Sequence, residues 1–228
     1  MSKSAVAISI VVPTLNEEKT IGELLDVLER MRPEEIIVVD GGSIDRTVAI
    51  ATGRAQVLCT EASRAMQMNA GAGAASGDVL LFLHSDSRLG AGSLDAIRLA
   101  MRDASLTGGN FDIRYEGGDW AAVAFTSLNR WRRRVGIFYG DSGIFCRRDA
   151  FKQLGGYRNW PIMEDYDFAR RLRKAGRLAL LNEPIWVSDR RWRNAGLFST
   201  LWSWFWIQGL YLVGVSPHRL ARMYRHVR

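Results

Sequence analysis

Three short apolar runs, Ile8–Val12, Ile36–Val39 and Val79–Leu83, each give way abruptly to small polar residues and a carboxylate. The first leads into Pro13-Thr14-Leu15-Asn16-Glu17-Glu18, the second into Asp40-Gly41-Gly42-Ser43 and the third into His84-Ser85-Asp86. Val/Ile-rich runs of this length, separated by helical patterns, read as parallel strands buried on both faces. Ligands of such sheets bind in the crevice beyond the carboxyl ends of the strands. The three strand ends therefore mark one site, suited to a cation or to a ligand rich in N–H and O–H groups.

The pattern between the strands supports this layout. Thr14 and Glu17 have capping-box spacing, and a helix with Ile21, Leu24, Leu25 and Leu28 on one face follows. Ser43–Ala51 reads as a second helix, Gln56–Thr60 as a strand and Ser63–Ala75 as an Ala-rich helix. This alternation predicts an α/β fold with a mostly parallel central sheet. Beyond Gly108 the pattern weakens. Gly109–Tyr115 reads as a strand, Trp120–Arg134 as a basic helix, and Ile144–Cys146 as a short strand. Met163–Ala175 reads as a helix with Phe168 and Leu172 inward, and Leu178–Leu181 and Ile185–Ser188 as two closing strands.

A chain of 228 residues holds one large α/β domain or at most two small ones. The formal charge of +7 points to an anionic partner such as nucleotide phosphates or acidic lipid. Cys59 and Cys146 both sit in apolar contexts, which predicts buried, reduced thiols and a cytoplasmic protein. Met1–Val12 is too short for a signal peptide or a span.

Each candidate motif also has a purely structural reading. Asp40 is placed either to cap the following helix or to accept hydrogen bonds from a base or ribose. Asp86 is either a turn former or an oxygen ligand for Mg²⁺ or Mn²⁺, and His84 shares its side of the strand. Glu164 and Asp165 complement a helix dipole, yet with Asp167 they make three acids in four residues, enough to supply a general base. The run Arg130, Arg132, Arg133 and Arg134 around Trp131 is either a solvated face or a patch that contacts phosphate or lipid.

Taken together, the motifs resemble the family 2 glycosyltransferases, inverting enzymes of GT-A fold. The residues that carry the resemblance are Ile8–Glu18, Ile36–Thr47, Arg64–Gly71, Gly77–Asp86 and Met163–Arg170, in the family's order. Gly140–Phe145, Gly155-Gly156-Tyr157 and Arg190-Arg191-Trp192 are similar to a bacterial subgroup described as radical-SAM/selenodomain-associated transferases. The resemblance implies that Pro13, Thr14, Asn16 and Glu17 line the nucleotide pocket and that Asp40 binds the base, typically uracil. It implies that Arg64, Asn69 and Ser85 approach the nucleotide or diphosphate, and that Asp86 meets the metal and diphosphate with His84 beside it. Asp165 matches the catalytic base, with Gly140, Asp141, Glu164, Arg191 and Trp192 on the acceptor side. Two positions depart from the family pattern. His84 replaces the first Asp of Asp-x-Asp, and no histidine follows the Glu-Asp pair before His218.

Two other functions remain open at this level. A sugar nucleotidyltransferase shares the nucleotide-binding half but usually carries a Gly-x-Gly-x-Arg loop where this chain has Pro13–Glu18. A non-catalytic module would use the basic surface for anionic lipid or nucleic acid, although no nucleic-acid motif is present and no nucleic-acid partner is expected. The expected organisation is a catalytic domain over residues 1–193 and a helical extension over 194–228. Asn194–Pro217 carries no formally charged residue, and its length matches the ~20 residues of a spanning helix. Trp202, Trp204 and Trp206 fall near its middle, where spanning helices disfavour Trp. Phe198, Trp202, Phe205 and Leu212 can share one face, so a peripheral contact with a membrane surface or a homodimer is expected, and the acceptor is unassigned.

Overall fold

Side-chain alternation along the first strand decides how the molecule is layered. In β1 (Ile8–Thr14), Ile8, Ile10 and Val12 enter one apolar cluster and Val11 the other, as period two requires. All four are fully buried, so helices must cover both sheet faces. On the first face α1 (Ile21–Met31) contributes Ile21, Leu24, Leu25 and Leu28, the stripe expected from sequence. Truncating Leu25 to Ala there would cost about 2–5 kcal/mol. On the second face α3 (Arg64–Ala74) and α7 (Glu164–Ala175) contribute Ala65, Met68, Phe168 and Leu172. Helix α3 approaches closely because Gly71 faces the sheet; a Cβ there would lie 2.4 Å from Val11 Cγ1.

The structure, a computed structural model, describes residues 6–115, 120–187 and 197–224. The remaining strands are β2 (Glu35–Asp40), β3 (Gln56–Cys59), β4 (Val79–Phe82), β5 (Arg88–Leu89), β6 (Leu106–Tyr115), β7 (Phe145–Arg147) and β8 (Arg177–Val187). They form an eight-stranded sheet in the order β3-β2-β1-β4-β7-β6-β8-β5. Strands β3, β2, β1 and β4 are parallel. Strand β7 then runs antiparallel to both β4 and β6, while β6 and β8 pair in parallel. The mostly parallel sheet thus has a mixed second half. The other helices are α2 (Thr47–Ala51), α4 (Ser93–Ala100), α5 (Trp120–Arg134), α6 (Arg148–Gln153), α8 (Leu197–Leu212) and α9 (Pro217–Tyr224).

Thr14 and Glu17 form no capping box, because Thr14 is still in β1, paired with Asp40. The helix starts at Ile21, after the Glu17 carbonyl has accepted the Thr20 and Ile21 amides. Residues 43–46 are not helical, since Asp45 Oδ1 takes the Thr47 amide and delays the start of α2. The two expected closing strands are one strand, β8. A register shift between Asn110 and Asp112 absorbs the interruption at Asn182-Glu183-Pro184. Met163 precedes α7 at φ 67° instead of joining it. Cys146 is buried as expected, but Cys59 is exposed, because β3 ends the sheet and its flanks face solvent.

Candidate active site

The carboxyl ends of β1 and β2 are tied to each other through side chains. Thr14 and Asp40 are buried neighbours, with the Thr14 hydroxyl 3.4 Å from Asp40 Oδ1. Asp40 Oδ2 accepts the Gly42 and Ser43 amides at 2.9 and 2.8 Å, so its carboxylate shapes the turn instead of capping a helix. The Ser43 hydroxyl accepts the Asn16 amide at 2.8 Å, and Asn16 Oδ1 accepts the Ile44 amide at 3.0 Å. Asn16 adopts φ 55°, which Asn tolerates better than most residues. The Glu17 amide donates to the Thr47 hydroxyl at 2.7 Å. Gln67 of α3 donates to the Thr14 and Val39 carbonyls at 2.8 and 2.7 Å, closing the floor of the crevice. Pro13, Thr14, Asn16, Glu17 and Asp40 therefore form one rigid rim.

Beyond β4, His84 is half-buried, Ser85 buried and Asp86 exposed. His84 Nε2 converges with the acid of α7. A Cβ at Gly140 would meet His84 Nε2 at 3.1 Å and Asp165 Oδ2 at 3.2 Å. Gly140 opens a short 3₁₀ turn (Gly140–Ser142), and its amide donates to Asp165 Oδ2 at 2.8 Å. Asp165 Oδ1 accepts the Tyr166 amide at 2.7 Å. Each of these oxygens keeps a second lone pair, so the carboxylate is fixed in place yet still able to accept a proton.

The three acids of α7 have three environments. Asp167 is buried and pairs with Arg171 at 2.7 Å and Arg158 at 3.3 Å, a structural anchor. Glu164 is buried, with Arg64 3.4 Å away. Burial and the neighbouring Asp165 charge push its pKa up to about 7, against the pull of Arg64. Asp165 is half-buried beside Gly140. Arg64, expected near the diphosphate, thus reaches the first turn of α7. Asn69, also expected near the nucleotide, is diverted. Its amide donates to the Tyr157 carbonyl and accepts the Tyr157 amide, both at 2.8 Å, so both its polar groups clamp α3 to the loop before α7.

An aromatic wall stands next to Asp165 that sequence reasoning missed. Tyr139 stacks on Tyr166 with centroids 5.4 Å apart, and Tyr166 meets Tyr211 of α8 edge-on at 5.6 Å. Trp160 packs against Tyr211, and the Tyr139 hydroxyl donates to Gln208 Oε1. The available signal was adjacency, since Tyr139 directly precedes Gly140 and Tyr166 directly follows Asp165. Asp141 is half-buried in the 3₁₀ turn. Arg191 and Trp192 lie outside the described residues, as does the expected domain boundary at 193/194.

Helix α8 presents Trp202, Phe205, Trp206 and Leu212 to solvent on its other sides. The side chains of Phe198 and Trp204 lie outside the described set. Its 16 residues span about 24 Å, short of the ~30 Å hydrocarbon layer. Among the described residues no helix is long and apolar enough to cross a membrane.

Among the described residues no group of three or more His, Cys, Asp or Glu could hold a metal ion. Mg²⁺ and Mn²⁺ sites, however, often use one or two protein ligands plus substrate phosphates. Exposed Asp86 beside His84 fits that partial donor set.

Residues 9–155 match the family model described as Glycosyl transferase family 2. The chain is 29% identical over 175 residues to a PGL/p-HBAD biosynthesis glycosyltransferase of Mycobacterium bovis, covering 70% of this chain and 67% of that one. Its fold is similar to S. aureus TarS 1-349, with TM-score 0.65 and 18% identity. That match covers 80% of this chain but only 60% of TarS 1-349. It is also similar to Mycobacterium tuberculosis glucosyl-3-phosphoglycerate synthase, solved in complex with Mn²⁺ and uridine-diphosphate-glucose. There the TM-score is 0.56 at 22% identity, covering 78% of this chain and 70% of that one.

Proposed function

The chain belongs to glycosyl transferase family 2, and on that premise we propose that it moves a sugar from a nucleoside diphosphate donor, a UDP-sugar by preference, to a hydroxyl acceptor with inversion. The observation that carries this reading is the fixed Asp165 carboxylate at the rim of the strand-end crevice, between Gly140 and the aromatic wall.

The rim of Pro13, Thr14, Asn16, Glu17 and Asp40 receives the nucleoside. Asp40 already accepts the Ser43 and Thr14 hydroxyls at Oδ1 and the Gly42 and Ser43 amides at Oδ2, so a base N–H or a ribose hydroxyl binds there by taking the place of a hydroxyl donor. Asp165 takes the proton of the acceptor hydroxyl as oxygen attacks the anomeric carbon from the face opposite the diphosphate. One displacement inverts that carbon. Asp86 and His84 would hold Mg²⁺ or Mn²⁺ together with donor phosphates, and the ion would neutralise the leaving diphosphate. The likeness to a synthase solved with Mn²⁺ and a UDP-sugar supports this assignment. Arg64 supplies positive charge at the same mouth, while burial and the Asp165 charge raise the pKa of Glu164 beside it and so weaken its competition for that charge. Ser85, Asp141, Arg191 and Trp192 are assigned to the donor and acceptor flanks by family position.

Half-buried Tyr139, backed by buried Tyr166, gives the acceptor an apolar contact beside Asp165, and α8 continues from there to exposed Trp202, Phe205 and Trp206. This continuity favours an acceptor held at a membrane surface, with residues 194–228 as a peripheral contact on the cytoplasmic side. The basic residues Arg219 and Arg222 of α9 complement anionic headgroups. The test is isothermal titration with UDP, GDP and their sugars, with and without Mn²⁺. A uridine ligand should bind best; if no nucleoside diphosphate binds under either condition, the reading fails.

A further inference from the structure

Away from the strand-end crevice, α5, β6 and β8 enclose a second cleft of about 330 Å³, lined by Asp112, Arg114, Arg130, Arg133, Arg134 and Asn182 among others. That volume is at the lower end of small-molecule sites, roughly 300–1,000 Å³. Asp112 is buried and holds the guanidinium groups in place. Arg130 reaches it at 2.6 Å, Arg133 at 3.4 Å and Arg114 at 3.5 Å. Arg133 also donates to the Leu181 carbonyl at 2.8 Å.

A structural ion-pair cluster would be the plainer explanation, but the charges do not balance. Four guanidinium groups face one carboxylate, an excess of three positive charges among the residues named. Arg133 is only 7% exposed, yet its Nε has no hydrogen-bond partner among the described residues. A buried donor left unpaired costs free energy, so Arg133 is not placed here for stability alone. Burial and the neighbouring charges of Arg130 and Arg134 also push the Arg133 pKa down, despite the pull of Asp112. Guanidinium forks at a concave surface match the geometry of tetrahedral oxyanions.

We propose that this arginine-lined cleft is a binding site for a phosphate group, carried either by a small solute or by a lipid headgroup. The site is separate from the donor crevice, and its assignment does not depend on glycosyl transfer. Three of its arginines sit on α5, whose chain continues through Tyr139 into Gly140, the residue whose amide binds Asp165.

The test uses the full chain at constant ionic strength with UDP at saturation, so that the donor crevice is closed to phosphate. Inorganic phosphate is titrated by calorimetry, and vesicles of phosphatidic acid are tested by co-sedimentation. Arg134→Gln and Arg114→Gln are the variants, because both side chains are at least partly exposed and leave buried Arg133 intact. The site predicts at least a tenfold loss of affinity in both variants for one of the two probes, and that probe identifies the source of the phosphate. Unchanged affinity of both variants for both probes, or no binding of either probe to the wild type, overturns the proposal. Equal melting temperatures of variants and wild type without ligand guard against misfolding as the cause.

Discussion

Asp165 Oδ2 accepts the Gly140 amide at 2.8 Å, which ties the acid of α7 to a loop fed by α5. The position of the proposed base is therefore set by a backbone segment 25 residues earlier in the chain. Gly140 has no side chain to spare at this point, since His84 Nε2 and Asp165 Oδ2 both approach where a Cβ would stand.

Gly140→Ala is expected to displace the Asp165 carboxylate by a few tenths of an ångström while leaving the nucleotide rim untouched. Misplacing a catalytic group by about 1 Å can cost on the order of 100-fold in rate. Turnover should fall roughly 3- to 10-fold with donor affinity nearly unchanged. Steady-state kinetics alongside donor titration will show whether the two separate.

Asn69 is a stability determinant and not a donor ligand on this account. Asn69→Ala leaves the Tyr157 amide and carbonyl without their partner. Each unpaired buried group costs about 1–3 kcal/mol, so urea denaturation should report a loss of roughly 2–4 kcal/mol. A larger effect on UDP affinity than on stability would restore the nucleotide role.

Glu164 makes the protein's stability depend on pH. Its folded pKa of about 7 is above the ordinary value of 4.5. Between these values the folded state binds more protons than the unfolded one, so stability falls as pH rises through that window. Glu164→Gln removes the titration and keeps the shape. Relative to the variant, the wild type should lose melting temperature from pH 5 to pH 7.5, and parallel profiles would refute the assignment.

The exposed aromatic side of α8 leads to a separate expectation. Trp202 and Phe205 are each 67% exposed, and fully burying such a side chain is worth about 1.5–3 kcal/mol. Phe205→Ala should weaken binding to anionic vesicles roughly tenfold, and added salt should weaken it further through Arg219 and Arg222. A chain that ignores vesicles but doubles its mass in sedimentation would point to the homodimer instead.

Much of the nucleotide half was legible in the sequence because its strands are short, apolar and sharply terminated. Strands β1, β2 and β4 follow from their continuous apolar runs and the buried stripe of α1 from its helical period, and Trp120–Arg134 matches the bounds of α5. What local pattern does not show is long-range pairing. Asn69 looks polar and available until Tyr157, 88 residues away, occupies it. Likewise Glu164, Asp165 and Asp167 are equivalent as neighbouring acids. Only the tertiary placement of Arg64, Gly140 and Arg171 gives them different roles. Pro184 interrupts the strand pattern of β8 in sequence, while in the fold a bulge accommodates the proline within one strand.

As the proposed base, Asp165 acts on the acceptor and not on the donor. The measurement is nucleoside diphosphate release by Asp165→Asn with a donor and acceptor that the wild type turns over, alongside calorimetric donor affinity. Turnover should fall by at least 100-fold, since Asn cannot take the hydroxyl proton, with donor affinity within about threefold of wild type. Near-normal turnover in the variant would contradict it, and so would loss of donor binding equal to the loss of rate.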